Sequence, residues 1–364
     1  MKLKSLILMM LIVAIGGAAY FYSANQSTVS IDAPLVPGLD SSLNKIKNFS
    51  VKKAGNVLLS SVSKTEAGWV VDNRAGYPAN VKSVRAVFKT LSEAKLSEAK
   101  TSNPDNYSKL GVEDTESQDA KGVLVSIDGL DDPVNIIFGN DGSSGKNTQY
   151  IRKQGVEQSW LMNKKINFRR NTTGWLQKDL FDIPPERIKT IQIIHPDGTT
   201  INIANTGNAA YEFELDANAP EGKKISESEI YQVANALSSL QLKDVVPSDE
   251  VKSENANSIR CVFKTFDGLT ITTNSMPSSE VTNVEPHFNI NIQFNAQDVD
   301  EDVKDVVEDG KTVIDASTMS DPKAAEELAN SMQSKLSGWS YVLPTITKDA
   351  LTKKLEHFFI NKGV

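Results

Sequence analysis

Asp298, Asp300 and Asp302 stand at alternate positions in the stretch Asp298-Val-Asp-Glu-Asp-Val-Lys-Asp-Val-Val-Glu-Asp309. A calcium loop presents its first carboxylates at this spacing. The pattern then departs from such a loop. Its sixth position, which needs glycine for a sharp turn, is Val303, and its twelfth, where a bidentate Glu belongs, is Asp309. The stretch therefore reads as a solvated acidic loop, with weak divalent-cation binding at Asp298, Asp300 and Asp302 as the chemical alternative.

Gly139-Asn-Asp-Gly-Ser-Ser-Gly-Lys146 invites comparison with a phosphate-binding loop, but its spacing is one residue too long. Asn147 replaces the metal-binding Ser or Thr, and a strand follows where a helix N-terminus would face phosphate. It reads as a hairpin loop. His195, His287 and His357, the only histidines, are far apart and lack partners at zinc-site spacing. No Gly-x-Ser-x-Gly elbow supports a Ser-His-Asp triad. The single cysteine, Cys261, shares a strand face with Ile259 and Phe263, which suits a buried small hydrophobe better than a nucleophile. No cofactor motif appears, so no cofactor is expected.

The elements that would position these residues begin with an anchor. Leu6 to Tyr22 carries no charge, and roughly 17 apolar residues reach about 26 Å as a helix. Leu6, Ile7, Leu8, Leu11, Ile12, Val13 and Ile15 would face lipid, with Tyr20, Phe21 and Tyr22 at the interface. These aromatics occupy the place where a cleaved secretory signal carries small residues, which favours a retained anchor over cleavage. Lys2 and Lys4 precede the span and no Lys or Arg follows until Lys45. The N-terminus is thus expected in the cytoplasm and the body in the periplasm, on a single-pass inner-membrane protein.

Behind the anchor, 39% hydrophobic and 23% charged residues suffice for a substantial core, and a net charge of -7 gives no footprint for nucleic acid. One cysteine excludes an intramolecular disulfide. The expected fold class is α+β: a transmembrane helix, then two related, mostly antiparallel sheet units, each with an amphipathic helix, plus C-terminal helices. The expected limits are 1–22 for tip and anchor, 23–45 for a linker, 46–178 and 179–320 for the units, and 321–364 for a helix-strand-helix tail.

In the first unit, strands are expected at 56–62, 68–74, 122–128, 134–139, 149–152 and 158–162, the last four as a meander. A helix opening at Tyr77-Pro78 buries Val81, Val84, Val87, Phe88 and Leu91. In the second, a hairpin joins 188–195 to 200–203 around Asp197-Gly198, and 211–215 alternates. Ser226 to Glu229 reads as a capping box for a helix burying Ile230, Val233, Ala234, Leu237 and Leu240. Strands follow at 259–264, 269–272 and 287–294. In the tail, Asp321-Pro322 starts a helix with Leu328, Met332 and Leu336 inward, Trp339 to Leu343 forms a strand, and Thr347 caps a last helix over Leu351, Leu355 and Phe358. Trp69, Trp175 and Trp339 each follow glycine and read as core anchors, with a ligand-stacking platform as the alternative.

Trp69, Tyr77-Pro-Ala79, Tyr107-Ser-Lys-Leu-Gly-Val112, Gly122-Val-Leu-Val125, Phe138-Gly139, Gln149-Tyr-Ile-Arg152, Ser159-Trp-Leu161 and Trp175-Leu-Gln-Lys-Asp-Leu180 resemble the domain-of-unknown-function family numbered 4340, over roughly residues 65–250. The resemblance implies a bacterial envelope protein, often encoded beside gliding-motility-type ABC exporters, and transfers no catalytic residue. The expected function is a non-enzymatic, membrane-anchored scaffold touching lipid through its anchor and transporter subunits through its body. An envelope hydrolase or metal-binding protein with a dispersed site is the alternative.

Overall fold

The structure, a computed structural model, describes residues 31–142, 147–166, 168–169, 171–206, 212–251, 257–276, 285–299, 306–308, 311–314 and 321–362. The expected anchor residues, Leu6 to Tyr22, lie outside these, as do Asp300 and Asp302. Among the described residues no helix is long and apolar enough to cross a membrane. The described residues fall into two units, one drawn from 31–64 and 82–169 and one from 65–81 and 171–362.

In chain order the first half carries β1 (Asn48–Lys53), β2 (Val57–Thr65), β3 (Gly68–Val71), β4 (Tyr77–Pro78), helix α1 (Val81–Glu93), β5 (Leu96–Ala99), β6 (Val123–Asp128), β7 (Val134–Asp141), β8 (Gln149–Lys153) and β9 (Ser159–Met162). The β3–β4 hairpin packs with the second unit. The first unit's sheet runs β2-β1-β6-β7-β8-β9-β5, all antiparallel. The meander stands as its alternating sequence requires. Helix α1 buries Val84, Phe88 and Leu91, and Phe88 meets Phe49 of β1 edge to face at 5.3 Å between ring centres. Each such side chain contributes about 1.5–3 kcal/mol by leaving water.

Three expectations change here. The helix opens at Val81, because Tyr77-Pro78 is already paired with Val70 and Val71. Strands β1 and β5 had no sequence signal, although β1 is paired on both sides. The expected linker is packed from Ile31 onward in part: Leu35, Val36 and Leu39 are buried, and the backbone at 32–35 bonds to Leu96 and Ala94, covering the outer side of β5. Proline-rich composition suggested a tether or a lead-in to the first strand, but Leu35, Val36 and Leu39 supplied apolar area that the sheet edge could bury.

The second half continues with β10 (Asp179–Phe181), β11 (Ile188–Ile194), β12 (Thr200–Asn205), β13 (Phe213–Leu215), β14 (Lys223–Ile225), α2 (Glu227–Ala234), β15 (Leu240–Gln241), β16 (Asp244–Pro247), β17 (Ile259–Thr265), β18 (Asp267–Met276) and β19 (His287–Val299). Next come β20 (Val306–Glu308), β21 (Lys311–Ile314), α3 (Pro322–Leu336), β22 (Trp339–Val342), α4 (Thr345–Leu351) and β23 (Phe359–Asn361). The main sheet runs β13-β12-β11-β17-β18-β19-β22-β16. The two units share one topology. A hairpin is followed by a helix, then by a strand on the far edge, then by antiparallel strands filling the gap: β2-β1-β6-β7-β8-β9-β5 matches β12-β11-β17-β18-β19-β22-β16 position for position.

The tail is not a separate piece. β22 pairs with β16 and β19, and β23 pairs with β14. Asp321 caps α3 through the amides of Lys323 and Ala324, and Ala325, Ala329 and Leu336 are its buried residues, with Leu328 and Met332 half-buried. Ser226 does not form the expected capping box. Its hydroxyl meets Ser228, and Glu229 is drawn instead to Lys353. Thr347 lies inside α4, which starts at Thr345 behind Pro344 and ends before Leu355.

Candidate functional site

The suspected chemical residues are scattered. Asp298, at the end of β19, is held by Lys264 Nζ at 3.3 Å and Asn295 Nδ2 at 3.1 Å. Among the described residues no group of three or more His, Cys, Asp or Glu is arranged to hold a metal. Gly139 and Asn140 belong to β7, while 143–146 lie outside the described residues. His195 is buried at the end of β11, with Nε2 at 3.0 Å from the Lys353 carbonyl. His357 is exposed near Glu356, and His287 is half-buried at the start of β19. Cys261 is fully buried between Ile193 and Thr273, and burial pushes its thiol pKa up. Such a thiol is a poor nucleophile.

The residues that do converge hold backbone. In the first unit the Arg152 side chain, 3% exposed, donates from Nε to the Val112 carbonyl at 2.9 Å and from Nη1 to the Val156 carbonyl at 3.2 Å. Its Nη2 reaches Asp114 at 2.6 Å, and its Cζ lies over the Tyr107 ring, 4.5 Å from the ring centre. The Tyr107 hydroxyl donates to the Glu157 carbonyl at 2.5 Å, and burial raises its pKa. Beneath this node, Tyr107, Val112, Leu124 and Ile137 form a buried cluster.

Glycines let the helical turn at Tyr107–Leu110 lie directly on the sheet. A Cβ at Gly122 would stand 2.3 Å from the Gly111 carbonyl oxygen, and one at Gly139 would stand 2.3 Å from that of Leu110. Contacts this close admit no side chain. The Gln149 side chain spans the irregular step in β7 between Phe138 and Asp141. It donates to the Gly139 carbonyl at 3.1 Å and accepts from the Ile166 amide at 3.1 Å.

In the second unit Trp175 is fully buried; its carbonyl accepts from the Asn80 amide at 2.7 Å, and Ala79 bridges Leu176. Trp339 meets Tyr77 edge to face at 5.0 Å, and burial pushes the Tyr77 pKa up to about 12. Arg74 grips Asp244 with Nε at 2.6 Å and Nη2 at 2.7 Å, a fork that raises its pKa. Arg187 and Asp267 form a buried pair at 2.5 Å, with Thr265 on the other carboxylate oxygen. Lys353 is held by Glu229 and by Gln232 at 3.0 Å. Arg152, Arg74 and Arg187 went unnoticed as nodes in the sequence. The available signal was an arginine within or beside an apolar strand, which must find acceptors when buried.

Residues 69–258, just over half of the chain, match the family model described as Domain of unknown function (DUF4340). The chain belongs to that family. No curated protein and no solved structure matches it. The family-like residues Tyr77, Ala79, Tyr107, Gly111, Gly122, Gly139, Gln149, Arg152 and Trp175 are thus the ones that lock turns and helices onto the sheets. Trp175 takes the core-anchor role.

Proposed function

We propose that this protein is a membrane-anchored, extracytoplasmic binding or scaffold protein, accessory to an ABC-type exporter or another envelope complex. The observation that carries this reading is the use of the family-like residues: they fix backbone and fill cores instead of converging on a reacting centre. These residues build the framework, and sheet edges and grooves are what the protein offers. The uncharged stretch Leu6 to Tyr22 with Lys2 and Lys4 before it supports an anchor that keeps the body beside membrane partners.

A C-terminal alkaline phosphatase fusion should be active and a cytoplasmic reporter silent; the reverse overturns the topology. Full-length mass after membrane extraction supports the retained anchor, and loss of the first residues near Ala24 overturns it. The detergent-solubilised protein, captured through a C-terminal tag, should bring down transporter subunits. Repeated capture without a stable partner, with calcium raising the melting temperature, overturns the scaffold reading.

A further inference from the structure

β-sheet edges are ready-made docking sites unless they are covered. In the first unit the outer side of β5 is covered by the backbone at 32–35, and in the second the 72–74 turn reaches β16 through Arg74 and Asp244. β13 is different. It pairs with β12 on one side, and no strand among the described residues pairs with it on the other. The bonds from Thr206 N–H to the Glu212 carbonyl and from Asp216 N–H to the Asn202 carbonyl place the even-numbered residues on the paired side. The main-chain groups of Phe213 and the amide of Leu215 therefore point to the open side.

Two grooves flank this edge, one on each face of the sheet. The inner one, about 640 Å³, is floored by Phe213, Leu215, Ile225 and Ile230 and rimmed by Glu227 and Ser228. The outer one, about 770 Å³, is lined by Thr190, Gln192, Asn202, Glu214 and Asp216, with Lys264 beyond. A strand laid along β13 would send alternate side chains into the two grooves, so the site asks for an extended segment with a period of two. Exposed Glu212, Glu214 and Asp216 lie on the outer side and Lys264 is already paired with Asp298, so the segment's outward side chains should be basic.

The geometry points to β13 as a strand-addition site for a partner protein, which contributes an extended segment alternating apolar residues with Lys or Arg. A second copy of this chain is the wrong occupant. Antiparallel pairing of two β13 strands centred on Glu214 would set Glu214 against Glu214 and Glu212 against Asp216, all like charges. This inference rests on the binding reading above and names the surface that does the binding.

The test uses the full-length protein in zwitterionic detergent and an end-blocked nine-residue peptide alternating valine and lysine. The peptide should bind and slow hydrogen exchange at the Phe213 and Leu215 amides, while a valine–glutamate peptide should not. N-methylation at alternate peptide residues should abolish binding, because it removes strand hydrogen bonds but no charge. Glu214→Lys, at an exposed position, should weaken the lysine peptide about fivefold. Absence of protection at Phe213 and Leu215, or binding indifferent to N-methylation, overturns the proposal. Protection that rises with protein concentration in the absence of peptide overturns it in favour of a second copy. Peptide failure with transporter capture intact refutes this surface alone, whereas loss of capture with peptide binding intact refutes the exporter reading alone.

Discussion

Replacing Arg152 with methionine should destabilise the first unit by about 2–4 kcal/mol, and the figure follows from which partners stay buried. Methionine keeps the stem's packing and a contact with the Tyr107 ring, so little apolar area is lost. The Val112 carbonyl loses its 2.9 Å donor at a fully buried residue, which costs about 1–3 kcal/mol. The Val156 carbonyl loses a longer bond of 3.2 Å. Asp114 loses its ion pair, but its side chain is 49% exposed and rehydrates, so that share is about 0–1 kcal/mol. Asp114→Asn should therefore cost about 1 kcal/mol or less. Arg152→Lys, which keeps charge but not the fork, should fall between the two. Urea unfolding followed by fluorescence, with hydrogen exchange resolved over β6 to β9, gives the comparison. If Asp114→Asn costs as much as Arg152→Met, the ion pair and not carbonyl capping holds the node, and the reasoning fails.

Gly122→Ala should destabilise by about 3 kcal/mol, because its Cβ meets two backbone carbonyls at 2.3 and 2.9 Å that cannot rotate away; an unchanged urea midpoint would refute this. Cys261 should resist a thiol reagent in the folded protein and react fully once unfolded, as read by reagent absorbance. His287 should make stability fall as pH drops. Burial lowers its pKa against the opposing charges of Asp244 and Glu285, so the unfolded chain binds the proton more readily. Stability present above the unfolded value of about 6.5 is lost as pH falls from there toward the folded value. The melting temperature of His287→Gln, measured from pH 7.5 to 5.5, should drop less than that of the parent.

Local pattern was enough for the elements that alternate strongly. β6 to β9, β11, β12 and β17 to β19 each pair apolar residues at a period of two with turn residues between, and the stripes of α1 and α2 recur at helical spacing. The family, too, was legible from short motifs. What those motifs do was not, because Arg152 finds its acceptor 40 residues away and Gln149 bonds a carbonyl on the neighbouring strand. Side-chain partners of that kind exist only after strands are in register.

Sequence alone determined the antiparallel α+β class, the apolar N-terminal stretch, the single buried-type cysteine and the failure of the acidic and glycine-rich runs to complete a calcium or phosphate motif. Tertiary structure decided the rest. Strands β1, β5 and β16 are short and carry Lys, Ser or Asp, so only pairing with distant strands makes them strands. The same long-range pairing set the shared order of the two units, drew the tail into the second sheet, and diverted Glu229 from Ser226 to Lys353. A local cap or tether competes with burial that the whole fold supplies, and where the fold offered more buried contact, the local signal lost.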